Sequence, residues 1–207
     1  MTQHQAQRPK RADAVRNIES ILEAAAVALA EDPDASMAEI AAAARVGRVT
    51  LYGHFASRRE LVEATVARAL AEGDAALDGV DLSGDPREAL GRLIASSWLL
   101  IAQIGSLAAA AEAELGPERM RQLHERPAAR VEQLVARGQR EGVFRSDLPA
   151  SWLVTLLHLV MHGAARELRA GRIEPGDAAA SLIASTVLAA YTPPGIPVPA
   201  IEIRSVP

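Results

Sequence analysis

Ser36-Met37-Ala38-Glu39 and Ser57-Arg58-Arg59-Glu60 each place a serine three residues ahead of a glutamate. In that pattern the hydroxyl accepts from the amide three residues on, and the carboxylate reaches back to the cap's own amide. Two helix starts are thereby fixed close together. The first opens a short helix through Ala44, and the second opens a longer one toward Ala71. What lies between has room for a turn and one more short helix. This interval constrains the chain more than any other feature, because little else can be built in so short a span.

The interval is unusual in composition. No acid occurs between Glu39 and Glu60, yet Arg45, Arg48, Arg58, Arg59 and His54 fall there or at its edge. Two of the chain's six aromatic residues, Tyr52 and Phe55, are also here. Placed on a helix, Leu51 and Phe55 are four apart and face one side, with Val46 able to reach the same core. Arg48 and Tyr52 are also four apart and face the other way, while Val49 and Gly53 make a narrow third face. Such a helix has the width of the DNA major groove. Thr50 and Arg48 are placed to reach base edges, and Tyr52 and His54 to donate to phosphates. Arg58 and Arg59 sit in the first turn of the next helix, where the macrodipole disfavours cations by roughly 0.3–1 kcal/mol. An anion docked at that helix start reverses the sign. The helix beginning at Ser36 offers a similar phosphate cap, so the reading is of two clamps flanking a basic helix. Arg8, Lys10 and Arg11 extend it as a flexible arm, or belong to a disordered tail with no contact.

Composition narrows the class. Hydrophobic residues make up 49% of the 207 and charged ones 23%, and alanine-rich text with few β-branched runs favours helix. Absence of cysteine removes disulfides, thiolate chemistry and cysteine-based zinc sites. The polar start has no apolar core of a secretory signal, which points to the cytoplasm. A net charge of −4 gives no global pull on nucleic acid, so a basic surface must be local. Leu93 to Ala111 and Leu148 to Ala165 lack charge, but their Ser, Thr, Gln and His content suits helices buried in a bundle better than membrane spans.

The expected fold is all-α. Val15, Ile18, Leu22, Ala25 and Leu29 mark the apolar stripe of a first helix that ends at Glu31-Asp32-Pro33-Asp34. Gly73, Gly79 and Gly84 punctuate a linker, and Asp85-Pro86 restarts helix. Gly105 suggests a break and Gly116-Pro117 a separation, and Pro127 should kink or split the segment 117–141. Helices over about 150–170 and 176–191 follow. The tail from Thr192 holds five of the twelve prolines and cannot be helical. The division is a basic arm over 1–12, a helix-turn-helix domain over 13–57, a connecting helix over 58–79, a second domain over 80–192 and a proline-rich tail over 193–207.

The run Ser36…Glu39-Ile40-Ala41, Ala44-Arg45-Val46-Gly47-Arg48, Thr50-Leu51-Tyr52-Gly53-His54-Phe55 and Ser57-Arg58-Arg59-Glu60-Leu61 resembles the TetR family of transcriptional regulators over roughly residues 13 to 66. The resemblance implies a helix-turn-helix of residues 37–44 and 48–54, with DNA contacts at Thr50, Tyr52, His54 and Arg58. It further implies a homodimer reading a palindromic operator in double-stranded DNA. Arg45 stands where the family often has glycine, Gly47 where a serine cap is common, and Gly53 where a larger polar residue is frequent. Arg45 adds a phosphate contact or is merely solvated. The candidate DNA-facing set is Ser36, Arg45, Arg48, Val49, Thr50, Tyr52, His54 and Arg58.

The remaining two-thirds has two expected tasks. For dimerisation, Trp152, Leu156, Leu159 and Gly163 recur at helical spacing, as do Ala179, Leu182, Thr186 and Ala189; such faces build a four-helix bundle from two chains. The resemblance implies the same two helices. For sensing, a largely apolar cavity with a few polar groups would take a small apolar effector. Its candidate lining is Trp98, Ile101, Gln103, Leu107, Met120, Leu123, His124 and His158, each of which plain core packing also explains. His158 and His162 form a metal half-site by spacing, without a nearby acid or HExxH, so no metal or cofactor is expected. P-loop, GxGxxG and GxSxG motifs are missing, so catalysis is not expected. The alternative from another class is a small-molecule-binding protein whose helix-turn-helix is vestigial.

Overall fold

The computed structural model describes residues 7–174 and 176–198, without the side chains of 7–13, 99 and 103–105. Its regular elements are eight helices, with no strand among the described residues: α1 (Gln7–Glu31), α2 (Met37–Ala43), α3 (Arg48–His54), α4 (Arg58–Leu77), α5 (Pro86–Leu123), α6 (Glu125–Arg140), α7 (Ala150–Arg169) and α8 (Asp177–Tyr191). They make two compact units. The first comprises Met1–Ala69 with Ser106–Arg121, and the second Leu70–Gly105 with Gln122–Pro207. The stretch 106–121, expected within the second domain, therefore belongs to the first unit; the switch falls at the expected Gly105 break.

In the first unit the buried stripe of α1 is Ile21, Ala25 and Leu29, at four-residue spacing. Ile21 takes the place of the expected Leu22, which like Ile18 is half-buried, and Val15 is exposed. The reason is α2, which packs on α1 and buries Ile40 and Ala41. Leu51 of α3 and Leu61 and Val62 of α4 are also fully buried. Each such side chain contributes about 1.5–3 kcal/mol relative to exposure, so a helix as short as α3 is held by its packing rather than by propensity. Helix α1 begins at Gln7, so positions 8, 10 and 11 of the expected arm are on helical backbone. Their side chains, and residues 1–6, lie outside the described residues.

The second unit has one continuous core. Trp98, Leu90 and Ile94 of α5, Val135 of α6, Leu153 and Leu157 of α7, and Ile183, Val187 and Tyr191 of α8 all join it. Tyr191 donates from its hydroxyl to the Leu153 carbonyl, tying α8 to α7, and burial raises its phenol pKa. Two expected boundaries are corrected here. Gly73 does not end α4, because the next residue, Asp74, is buried and paired with Arg126 and Arg130 of α6, which keeps the last turns in place. Pro127 does not break its helix, since it is the third residue of α6, where a missing amide costs no intrahelical bond. The interruptions are the expected one at Gly116, at φ 76° inside α5, and one at His124 between α5 and α6. After α8, residues 193–198 are non-helical, with a turn closed by the Ile196 amide on the Pro193 carbonyl at 3.1 Å. Residues 199–207 of the expected tail lie outside the described residues. No single described helix is long and apolar enough to cross a membrane.

Candidate nucleic-acid interface

The interface candidate is built by the turn that ends α2. The Arg45 amide donates to the Ala42 carbonyl at 3.1 Å and the Val46 amide to the Ala41 carbonyl at 3.0 Å. These two bonds close the helix with Arg45 in the left-handed region, at φ 56°. The chain then turns straight into α3 through Gly47, an extended cap with no side-chain bond. Leu51 and Phe55 anchor α3 from beneath. On the other side Arg48 is exposed, Val49 is 88% exposed and Tyr52 51% exposed. Gly53 is exposed and a Cβ there would meet nothing within 4 Å, so this flank is smooth for lack of a side chain rather than from packing. Thr50 and His54 are half-buried at the margins.

Both helix starts carry capping bonds of their own. At α2 the Ser36 hydroxyl donates to Glu39 Oε2 at 2.7 Å and accepts the Glu39 amide at 3.3 Å, while the Ser36 amide donates to the same carboxylate at 2.8 Å. The serine's hydroxyl and amide hold the Glu39 carboxyl below its usual range. The Ser36 hydroxyl and amide are thus engaged by the helix's own Glu39. At α4 the Glu60 amide donates to Ser57 Oγ at 3.2 Å, and the Glu60 carboxylate accepts from Ala56, one residue before the expected Ser57 amide.

Arg58 also departs from expectation, because it is engaged inside its own unit. Its Nε donates to the Ala35 carbonyl and one Nη to the Pro33 carbonyl, and the other Nη pairs with the Glu114 carboxylate. Arg59 donates to the carbonyls of Glu114 and Leu115. Arg119 is paired with Glu63 at 2.6 Å. The cations in the first turn of α4 are therefore balanced by acceptors from the α1–α2 loop and the stretch 106–121. The sequence offered no signal for Glu114, which lies 56 residues from its partner.

The expected effector lining is only partly assembled. Trp98 is in the core of the second unit, Ile101 packs partly buried against that core, and Leu123 is half-buried. Leu107 and Met120 are buried residues of the first unit, and the Gln103 side chain lies outside those described. What the fold does bring together is His124 with His158, ring centroids 5.8 Å apart, and with His162, also 5.8 Å. His162 was noted in the sequence only as a spacing partner of His158. Burial and the two neighbouring imidazoles lower His158 to about 4, so it is neutral at pH 7. Among the described residues no group of three or more His, Cys, Asp or Glu is disposed to hold a metal ion.

The expected dimer face divides differently. Trp152, Leu159 and Leu182 are 52%, 60% and 53% exposed. Thr186 and Ala189 are exposed, and Leu156 and Gly163 half-buried. Ala179 is corrected: at 3% exposure it belongs to the core of its own unit, since it lies on the α8 face shared with Ile183 and Val187.

Residues 21–65 match the family model of bacterial regulatory proteins, tetR family. Over these residues the chain is similar to the TetR family. Over 84 residues it is 34% identical to the HTH-type transcriptional repressor LfrR of Mycolicibacterium smegmatis (strain ATCC 700084 / mc(2)155), covering 41% of this chain and 44% of that protein. The chain thus spans less than half the length of this relative. Solved structures resemble the chain over more of its length. A TetR family transcription regulator from Marinobacter aquaeolei VT8 is 24% identical with a TM-score of 0.68, covering 89% of this chain and 98% of that one. The TetR-like regulator LfrR from Mycobacterium smegmatis, in complex with proflavine, is 23% identical with a TM-score of 0.66, covering 83% and 94%. At these identities the two structures speak to the fold, which extends the TetR-like architecture beyond the module itself.

Proposed function

We propose that this protein is a ligand-responsive transcriptional regulator, a repressor, which binds a palindromic operator as a homodimer and is released by a small apolar effector. The observation that carries the reading is α3: anchored by Leu51 and Phe55, it turns Arg48, Val49 and Tyr52 to solvent on a helix-turn-helix. Arg48 and Thr50 read base edges, while Tyr52 and His54 donate to phosphates. The exposed α7–α8 face with Trp152, Leu159 and Leu182 supports pairing of two chains, and a two-fold pair reads a two-fold site. For release, the effector binds better to the conformation with the wrong spacing of recognition helices. The half-buried imidazoles in the second unit and the proflavine complex of LfrR support a small-molecule site. Selection of bound sequences from a random double-stranded DNA pool tests the reading. An enriched palindrome with half-site centres about 34–36 Å apart is the expected result; folded, dimeric protein that enriches nothing at low salt overturns it.

A further inference from the structure

The fold ends three of its helices in the same way. At the ends of α2, α6 and α7 the last amides fold back in one pattern. Arg45 donates to Ala42 and Val46 to Ala41; Gly142 donates to Gln139 and Val143 to Gly138; Gly171 donates to Leu168 and Arg172 to Glu167. In each, the residue after the cap must take a left-handed backbone, with φ values of 56°, 72° and 67°. Glycine adopts that region without a steric penalty, and a residue with a Cβ does not. Twice the chain places glycine there. The third time, in the turn of the helix-turn-helix, it places Arg45, the one non-glycine residue at positive φ among those described.

A strained position held by an arginine asks what the arginine contributes in return. It does not serve the fold, because the Arg45 side chain is exposed and makes no hydrogen bond or ion pair among the described residues. Meanwhile the arginines that open α4 are taken: Arg58 by the Pro33 and Ala35 carbonyls and Glu114, Arg59 by the Glu114 and Leu115 carbonyls. Among the described residues of the module, the arginines without an internal partner are therefore Arg48, on the outer face of α3, and Arg45, three residues ahead of it in the tight turn.

We propose that Arg45, presented from the left-handed turn between α2 and α3, is a DNA phosphate contact that takes the place of Arg58. The proposal rests on the DNA-binding reading above and adds to it the source of the backbone grip. A phosphate contact carries no sequence information, so its loss weakens binding to any duplex alike. Because Arg45 occupies a position that suits glycine, its removal also separates stability from binding in opposite directions.

The test uses the full-length protein with two probes, the duplex recovered by selection and a duplex of random sequence. Arg45→Gly is expected to melt at a higher temperature than the parent, yet to bind both duplexes about 5–10-fold more weakly. The log affinity against log salt slope should become shallower by about 2 for a dimer, one phosphate per protomer. Arg45→Asn, which tolerates the left-handed region without a charge, should lose binding equally; Arg45→Lys should retain most of it. Thr50→Ala should lose affinity for the selected duplex only. Arg58→Ala should melt lower with its slope unchanged. If Arg45→Gly and Arg45→Asn keep the parent's affinity and slope while Arg48→Ala weakens binding, Arg45 is merely solvated and the proposal is overturned. Folded, dimeric parent protein that binds neither duplex at low salt overturns the DNA-binding reading itself, and the proposal with it.

Discussion

Gly138 is the position where the packing can be tested most sharply. It lies in α6, and the helix closes four residues later with Gly142 at φ 72°. The chain then folds back, the Val143 and Phe144 amides both donate to the Gly138 carbonyl at 3.0 Å, and the Phe144 ring is laid over the glycine. That ring is fully buried and stands edge-on to Tyr191, centroids 5.4 Å apart. A Cβ on residue 138 would lie 2.1 Å from Phe144 Cδ2 and 2.6 Å from Cε2. In an exposed helix Gly→Ala gains about 1 kcal/mol. Here overpacking costs about 1–3 kcal/mol, at or above the upper end because the ring has no solvent to retreat into. Gly138→Ala should therefore lose about 2 kcal/mol net, a fall in Tm of about 4–8 °C for a chain of this size. The decisive form is a double-mutant cycle at fixed protein concentration. Phe144→Ala alone should cost about 3–5 kcal/mol. In that background Gly138→Ala should be neutral or stabilising by up to about 1 kcal/mol, a coupling near 3 kcal/mol. A Gly138→Ala protein as stable as the parent, or additive effects in the double variant, would refute the reasoning.

Two further outcomes follow from other parts of the fold. His158 is lowered to about 4 from an ordinary 6.5, so the unfolded chain binds more protons in between; its contribution is present above pH 6.5 and is lost as pH falls toward 4. Lowering pH from 7 to 5 should cost about 2 kcal/mol from this group, and denaturant melts of His158→Gln should show that much less acid sensitivity; an unchanged acid limb removes His158 as its source. Trp152→Glu with Leu182→Glu places charges on the exposed α7–α8 face and should give folded monomers by light scattering, with weaker binding to the selected duplex. A double variant that stays dimeric would place the pairing surface elsewhere.

Local signals account for what could be read in advance. Ser36 and Ser57 announce helix starts because the bonds they make reach only three or four residues. Leu51 and Phe55 announce the buried side of α3 because a helix repeats every 3.6 residues. The same locality explains the misplacements. Gly73 and Pro127 are breakers by propensity, but Asp74 paired across to Arg126 and Arg130 holds the end of α4, and Pro127 stands where its missing amide is harmless. Ala179 has the size of an interface residue, and only the packing of α8 shows that its face looks inward.

Arg58 and Arg45 show where such reading stops and what replaces it. By spacing alone Arg58, in the first turn of α4, is the better phosphate ligand, and Arg45 is an oddity in a turn. Under the proposal the assignment reverses, since Pro33, Ala35 and Glu114 lie 25, 23 and 56 residues from Arg58 and no periodicity points to them. Arg45 has the opposite character: its backbone is costly and its side chain has no partner among the described residues. A guanidinium already satisfied by two carbonyls and a carboxylate would have to break those bonds to reach DNA, whereas Arg45 has none to break. Of two arginines with equal charge, the one without internal partners is the one whose contact with a phosphate adds to binding rather than exchanging one interaction for another.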